Sequence, residues 1–287
     1  MTEPVKKDRF NQKSRWISGI LVGTAVVLCF FHWVSFLALA ISVAFLAGFE
    51  YVRMVLPQKA GRWEAGILIA LYPLMTFWGA LLLGDPQAAS PQWEWILVGF
   101  GVLIPLVGSV GLWLYKDPAV VKENLIDILF GLFYISFTLF LGVIVYWRYS
   151  WAHALMVVTC PWIFDTGAFY FGIKFGKRKL MPSISPKKTV EGFLGGTLVS
   201  LVGVWLYAQG LSLLTPEPVL RLGESISISL VLALSATFGD LFESALKRYH
   251  SRKDMGGILP GHGGFLDRMD SMLFFIPMFL LVMMLFR

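Results

Sequence analysis

Long apolar runs alternate with short polar connectors along this chain. The runs are continuous, where a half-buried strand would switch polarity at every second residue. Nine can be marked: Trp16–Trp33, Val34–Met54, Gly66–Gly84, Trp93–Tyr115, Leu125–Trp147, Trp151–Phe175, Gly192–Ala208, Ile226–Lys247 and Ser271–Phe286. Most reach the roughly 18 residues needed to cross a hydrocarbon layer of about 30 Å. Lipid offers the backbone no hydrogen-bond partners, so such runs form helices. The pattern predicts an all-α polytopic membrane protein of about nine transmembrane helices. The first two runs abut, with only His32 and Ser35 to mark a turn. The chain divides into helices one to four (1–115), a middle helix (116–150) and four C-terminal helices (151–287) that carry two charged connectors.

Composition agrees: 57% of the 287 residues are hydrophobic and 15% charged, against roughly 25% charged in soluble domains. The charge also sets an orientation. With the N-terminus inside, 21 of the 24 Lys and Arg fall in inner segments, and Arg148, Arg221 and Arg287 are left outside. That split is a strong positive-inside signal for nine spans, N-terminus in and C-terminus out. Five Lys and Arg precede Trp16, but no small-x-small cleavage site follows, so the first run reads as a retained helix. Trp16, Trp33, Trp63, Trp93, Trp95, Trp147 and Trp151 sit at run ends, as in an interfacial belt. Gly131, Gly195 and Gly196 read as sites of close helix packing. Cys29 and Cys160 lie in apolar runs and offer neither a disulfide framework nor metal spacing. No nucleic-acid partner is expected.

Against this background the stretch from Phe238 to Asp270, FGDLFESALKRYHSRKDMGGILPGHGGFLDRMD, stands out. Asp240, Glu243, Ser244 and Lys247 are spaced i, i+3, i+4 and i+7 and share one helical face. Asp267 and Asp270 form a second i, i+3 pair before the last run. Ionised carboxylates in apolar spans are expensive and face a polar interior or a partner. For Glu243 the bland alternative is an i, i+4 pair with Lys247. Two carboxylate pairs near one surface suit a divalent cation that prefers oxygen ligands, such as Mg²⁺; the thiolates and imidazoles of a zinc site are missing. Between the pairs lie Lys247, Arg248, Arg252 and Lys253, then a turn of Pro260, Gly261, His262, Gly263 and Gly264. Glycines let backbone N–H groups approach an anion, and Lys and Arg supply charge for phosphates. Together these features point to phosphoryl or nucleotidyl transfer. The connector Lys174–Glu191 adds Ser185, Lys187 and Lys188 in a shaped turn. Asp165, within the sixth run, is either part of a functional site or an acceptor for Thr or Tyr groups nearby. His32, His153 and His250 have no evident partner.

The span Ser244–Asp270 resembles, without a gap over 27 positions, the signature of the phosphatidate cytidylyltransferases, or CDP-diacylglycerol synthases. Two upstream pieces are similar as well: Asp165-x-Gly167-Ala168-x-Tyr170, and Ile184 to Thr189 followed by Glu191-Gly192. Many members carry an aromatic residue where this chain has Val190. The resemblance is tight over Asp165–Asp270 and extends upstream as hydrophobic pattern, with Glu50 at the end of the second run.

The resemblance implies an Mg²⁺-dependent enzyme, with or without a second cation, in the bacterial inner membrane; homodimers are known in the family. Its reaction joins CTP and phosphatidate, giving CDP-diacylglycerol and pyrophosphate. The implied catalytic residues are Asp240, Asp267, Lys247 and Asp165. Metal ligation falls to Asp240 and Asp267, with Glu243 and Asp270 at or just behind the ion. Lys187, Lys188, Ser185, Ser244, Arg248, Arg268 and the His262-Gly263-Gly264 turn would bind substrate. The site would face the cytoplasm, where soluble CTP meets a lipid of the inner leaflet. A related cytidylyltransferase for another lipid phosphate, such as a prenyl-ether one, is the alternative. A transporter would need charges near the midplane of two related halves, and only Asp165 fits. The DGxxAR signature of the CDP-alcohol phosphatidyltransferases is absent.

Overall fold

The computed structural model describes residues 23–55, 62–83, 126–250 and 264–287. The predicted fourth span, residues 16–22 of the first, and His262 and Gly263 lie outside them. Seven long helices follow one another: α1 (Trp33–Val55), α2 (Arg62–Leu83), α3 (Ile126–Arg148), α4 (Trp151–Phe175), α5 (Val190–Ser212), α6 (Leu222–Tyr249) and α7 (Asp270–Phe286). Five of them, α1, α3, α4, α5 and α6, are long and apolar enough to cross a membrane. The expected turn between the first two runs is present: residues 23–29 are helical, 30–32 turn, and Ser35 Oγ donates to the carbonyls of His32 and Cys29. In α3 one stretch, Leu132–Phe137, is a π-helical turn.

One element departs from the all-α expectation. The connector between α4 and α5 contains an antiparallel hairpin, β1 (Lys179–Met181) and β2 (Ser185–Thr189). Glu191 explains its position. Its carboxylate accepts from the backbone N–H groups of Lys177 and Arg178, while the Thr189 hydroxyl caps α5 by accepting from Gly192 N at 3.1 Å. A side chain in the first turn of α5 thus fastens the strand entry to the helix start. The Ser-Pro and Thr-x-Glu pattern read as a turn is therefore a hairpin joined to a helix cap.

Lipid and protein faces separate cleanly on α5. Leu194, Leu198, Val202 and Leu206, spaced i, i+4, are exposed. On a soluble protein this stripe would be an aggregation surface; on a membrane helix it faces acyl chains. The opposite face carries Gly192, Gly195, Gly196, Ser200 and Ala208. A Cβ on Gly195 would collide with the Phe171 ring, and one on Gly196 would stand 2.7 Å from Phe164. Small residues let α4 and α5 close up without a hydrophobic driving force. Gly131 plays the same part where α3 passes Tyr51 and Tyr72. All three glycines read from sequence as packing sites are so used.

The three basic residues assigned to the outer side share one end of the bundle. Arg287 pairs with Glu224, whose carboxylate also accepts from Arg221 N, and Arg148 lies over the neighbouring Tyr149. His153, which had no evident partner, is buried there between Ser150 Oγ and the Val219 carbonyl. Trp33, Trp147 and Trp151 flank the same end.

The packing role of Gly195 is directly testable. Gly195→Leu forces Phe171 aside, and overpacking of this kind costs about 1–3 kcal/mol or more. Its unfolding midpoint in detergent should fall clearly. Leu198→Ala, on the lipid stripe, should leave the midpoint nearly unchanged.

Candidate active site

At 28 residues, α6 is about 42 Å long, more than the roughly 30 Å hydrocarbon layer requires, so its last turns can stand in a polar setting. Those turns carry Asp240, Glu243, Ser244 and Lys247. Ser244 Oγ donates to Asp240 Oδ1 at 3.3 Å. Lys247 Nζ bridges Glu243 Oε1 at 3.1 Å and Asp267 Oδ1 at 2.6 Å. The Glu243–Lys247 pair expected from helical spacing therefore exists, and it recruits a third member from the far side of the signature. Asp267 sits in a 3-10 turn, Leu266–Arg268, that leads into α7. Its Oδ2 accepts from Gly264 N at 2.9 Å. Gly264, proposed as a substrate contact, thus has its N–H committed to Asp267.

Asp240 has no base on its own helix close by, and its partner comes from the hairpin. Lys188 Nζ lies 2.9 Å from Asp240 Oδ2 and donates to the Thr237 carbonyl at 3.3 Å. β2 thereby lays its basic residues against the carboxylate face of α6. Lys187, the residue before Lys188, is exposed, and both lysines line one cavity. Ser185 opens β2, opposite Met181 in the hairpin register. Arg248 and Arg268 are exposed at the ends of their elements.

Asp270 is brought to Asp240 by a backbone contact. A Cβ on Gly239 would stand 2.5 Å from the Asp270 carbonyl oxygen and 3.2 Å from Ser271 Cα. Only glycine lets the start of α7 lie this close to α6. The Ser271 hydroxyl donates to the Ala236 carbonyl and fastens the contact. Asp165 completes the group from α4: its charge acts on Asp240 and Asp270, and Lys188 acts on it in return. Its neighbour Thr166 turns its hydroxyl back to the Trp162 carbonyl.

Two cavities meet at these residues. One, of about 470 Å³, has apolar walls from α1, α3, α4 and α7, including Phe36, Ala40, Leu139 and Val157. Asp165, Asp240, Asp267, Arg268 and Asp270 border it as well. The other, of about 630 Å³, is bordered by Lys179, Lys187, Lys188, Thr189 and Gly192 of the hairpin and α5. Asp165 and Asp240 belong to both. Glu243 borders neither; it is fully buried beneath Lys247.

Among the described residues no three His, Cys, Asp or Glu side chains form a group able to hold a metal. The donor chemistry nonetheless fits Mg²⁺. Asp165, Asp240, Glu243, Asp267 and Asp270 are all oxygen donors, and three of them, Asp240, Glu243 and Asp267, pair with the ammonium groups of Lys188 and Lys247. One Glu243 oxygen, Oε2, is buried with no hydrogen-bond partner. Mg²⁺ typically uses one or two carboxylates and completes its shell with water and substrate phosphate, so a three-carboxylate cluster is not required.

The profile of the cytidylyltransferase family matches residues 13–286. The chain belongs to this family. Among similar proteins, a phosphatidate cytidylyltransferase of Thermotoga maritima is 35% identical over 265 residues, covering 92% of this chain and 93% of that protein. One of Staphylococcus saprophyticus is 31% identical, with 90% of each chain covered. One of Bacillus subtilis is 44% identical over 139 residues, about half of each chain. Together with its apolar helices, this membership makes the chain an integral membrane protein.

Site residues that sequence reading passed over are Thr237, Gly239 and Ser271. Gly239 carried a signal, being a glycine beside an acidic residue inside an apolar helix. Gly239→Ala should push the start of α7 off α6 and separate Asp270 from Asp240. We expect turnover to fall by about tenfold or more, since small displacements at a catalytic constellation are costly, while the detergent-extracted protein still unfolds cooperatively. Turnover near that of the parent would remove the contact from the site.

Proposed function

We infer that the protein transfers the cytidylyl group of CTP to phosphatidate, giving CDP-diacylglycerol and pyrophosphate. The observation that carries this reading is that Asp165 and Asp240 are shared by a cavity walled by apolar helix faces and a second cavity to which the hairpin contributes Lys179, Lys187 and Lys188. A lipid phosphate and a nucleotide triphosphate could meet there with their unlike portions kept apart. The family relatives named above act on phosphatidate by their names.

In this reading the acyl portion of phosphatidate lies along α1, α3 and α4, and its phosphate reaches the carboxylate end. Lys187 and Lys188 hold the CTP phosphates in the hairpin cavity, and Arg248, Arg268 and the His262-Gly263-Gly264 turn supply further phosphate contacts. A phosphate oxygen of the lipid attacks the α-phosphorus of CTP. The bond between the α- and β-phosphates breaks, and pyrophosphate carries away the electron pair. The nucleophile is already anionic, so no strong base is needed. The barrier lies in bringing two polyanions together, which positioned positive charge lowers. Mg²⁺, alone or with a second cation, would be held by Asp240 and Asp267 with Asp270 beside them, and supplies such charge. Glu243 keeps Lys247 charged and in place, Ser244 orients Asp240, and Asp165 shapes the border from α4. The site faces the cytoplasm, in keeping with the distribution of basic residues.

Membrane vesicles holding the protein test the reading when supplied with phosphatidate and each nucleoside triphosphate in turn. Inverted vesicles should form CDP-diacylglycerol from external CTP, and sealed right-side-out vesicles should not. A prenyl-ether lipid phosphate should be a poor acceptor; a reversal of that preference would install the alternative substrate.

Asp240→Asn and Asp267→Asn each keep shape and one oxygen but lose charge. Each should cost on the order of 10²-fold in rate. The double variant should cost little more than either single, because residues serving one site act as a unit. Near-normal rates in both singles at low Mg²⁺ would make these carboxylates structural.

Lys188→Ala should raise the KM for CTP by about tenfold or more while insertion stays normal. An unchanged CTP dependence would return Lys188 to a topological role.

A further inference from the structure

Glu50 lies near the inner end of α1, far in sequence from every signature residue, and is 2% exposed. A buried carboxylate on a transmembrane helix is costly unless something compensates it. Here Oε2 accepts a 2.8 Å hydrogen bond from the backbone N–H of Leu266, across 216 residues of chain. Oε1 is buried with no hydrogen-bond partner. The compensation is therefore partial, and a leucine or methionine of similar volume would serve the core at least as well.

What Glu50 holds is the first residue of the 3-10 turn Leu266–Arg268. The opening N–H groups of a helical turn lack internal partners, and Phe265, which precedes this one, supplies no side-chain cap. Glu50 caps it from another element. The next residue is Asp267, which Gly264 N and Lys247 hold from the other side. The carboxylate expected to ligate metal is thus fixed through its own side chain and, one residue away, through Glu50.

The platform under Glu50 is rigid. Tyr51, the next residue, is 1% exposed and donates to the Asp127 carbonyl at 2.9 Å. Two residues before it, Gly48 lies against the Tyr72 ring of α2. The end of α1 is therefore locked to α2 and α3, and Glu50 carries that lock to the signature turn.

We propose that Glu50 is a positioning residue of cytidylyl transfer: its carboxylate oxygen, by holding Leu266 N–H, sets Asp267 and the turn that bears it. The proposal rests on the reading of Asp267 as a metal ligand. It predicts that acceptor position matters and charge does not. Glu50→Gln keeps chain length and one acceptor oxygen and loses the charge. Glu50→Asp keeps the charge and withdraws the acceptor by one methylene.

The test is steady-state kinetics of the full-length protein in detergent–lipid micelles, with CTP and phosphatidate varied, for both variants and for Glu50→Asp combined with Asp267→Asn. We expect Glu50→Gln to stay within about threefold of the parent kcat, and Glu50→Asp to lose about tenfold in kcat with its KM for CTP unchanged. The double variant should be no slower than Asp267→Asn alone by more than about threefold, since a residue acting through Asp267 has nothing left to position. Multiplied losses in the double variant would overturn the proposal, because they mean Glu50 acts elsewhere or on stability at large. So would a Gln variant slower than the Asp variant, which would make the charge the active property. A normal rate for Asp267→Asn itself would sink the underlying reading of the site, whereas a slow Asp267→Asn beside a normal Glu50→Asp sinks the Glu50 proposal alone.

Discussion

A carboxylate on a helix that crosses lipid must be neutralised by something carried in from elsewhere. This constraint organises the end of the bundle that carries the signature turn. Asp240 is met by Lys188 from a hairpin 49 residues before Thr237, the carbonyl on which the same ammonium rests. Glu243 and Asp267 share Lys247. Removing one partner of a buried pair leaves an uncompensated charge at a cost of about 3–5 kcal/mol. The buried group of Glu243, Lys247 and Asp267 therefore fixes the last turns of α6 and the signature turn relative to one another, while Lys188–Asp240, with side chains 24% and 39% exposed, ties the hairpin to them more weakly. A surface pair would contribute little; here Glu243 is fully buried and the Lys247 side chain is 16% exposed.

Much of this was legible in the chain. Helix positions followed from apolar runs, because the run length needed to cross lipid leaves little freedom: α4 matches its run residue for residue, and the other described helices start or end within a few residues of theirs. The face shared by Asp240, Glu243, Ser244 and Lys247 followed from helical spacing, and Glu243–Lys247 is the pair that spacing dictates. The signature residues announced a nucleotidyl chemistry because glycine, base and acid rarely crowd together in a mostly apolar sequence.

What was not legible is what only tertiary contact decides. Spacing along one helix cannot show that Lys188 will meet Asp240, since one lies on a strand and the other on a helix. Ser-Pro before Lys187 and Lys188 and Thr-x-Glu-Gly after them read as a turn; strand pairing of Lys179–Met181 with Ser185–Thr189 makes that stretch a hairpin, and the bonds from Lys177 and Arg178 to Glu191 fasten it to α5. Gly239 was passed over in the sequence. Its significance lies in the atom it faces, a backbone carbonyl that cannot move aside as a side chain can.

Three glutamates are buried among the described residues, Glu50, Glu224 and Glu243, and they are not treated alike. Glu224, at the end that carries Arg148 and Arg287, has both oxygens engaged: Oε1 with Arg287, Oε2 with Arg287 and the Arg221 N–H. Arg287 in turn reaches the carbonyls of Pro218 and Val219. That network is complete, and a complete buried network serves packing and rigidity. Glu50 and Glu243, at the opposite end, each keep one buried oxygen without a hydrogen-bond partner. An orphaned buried acceptor costs about 1–3 kcal/mol and brings no stability in return. A chain shaped for stability alone would satisfy these two as it satisfies Glu224, or replace them with apolar side chains. Both instead lie directly behind Asp267, one through Lys247 and one through Leu266 N–H. The local loss of stability thus coincides with the place where the chemistry is proposed, as expected where a site is held in position for a reaction and not for the fold.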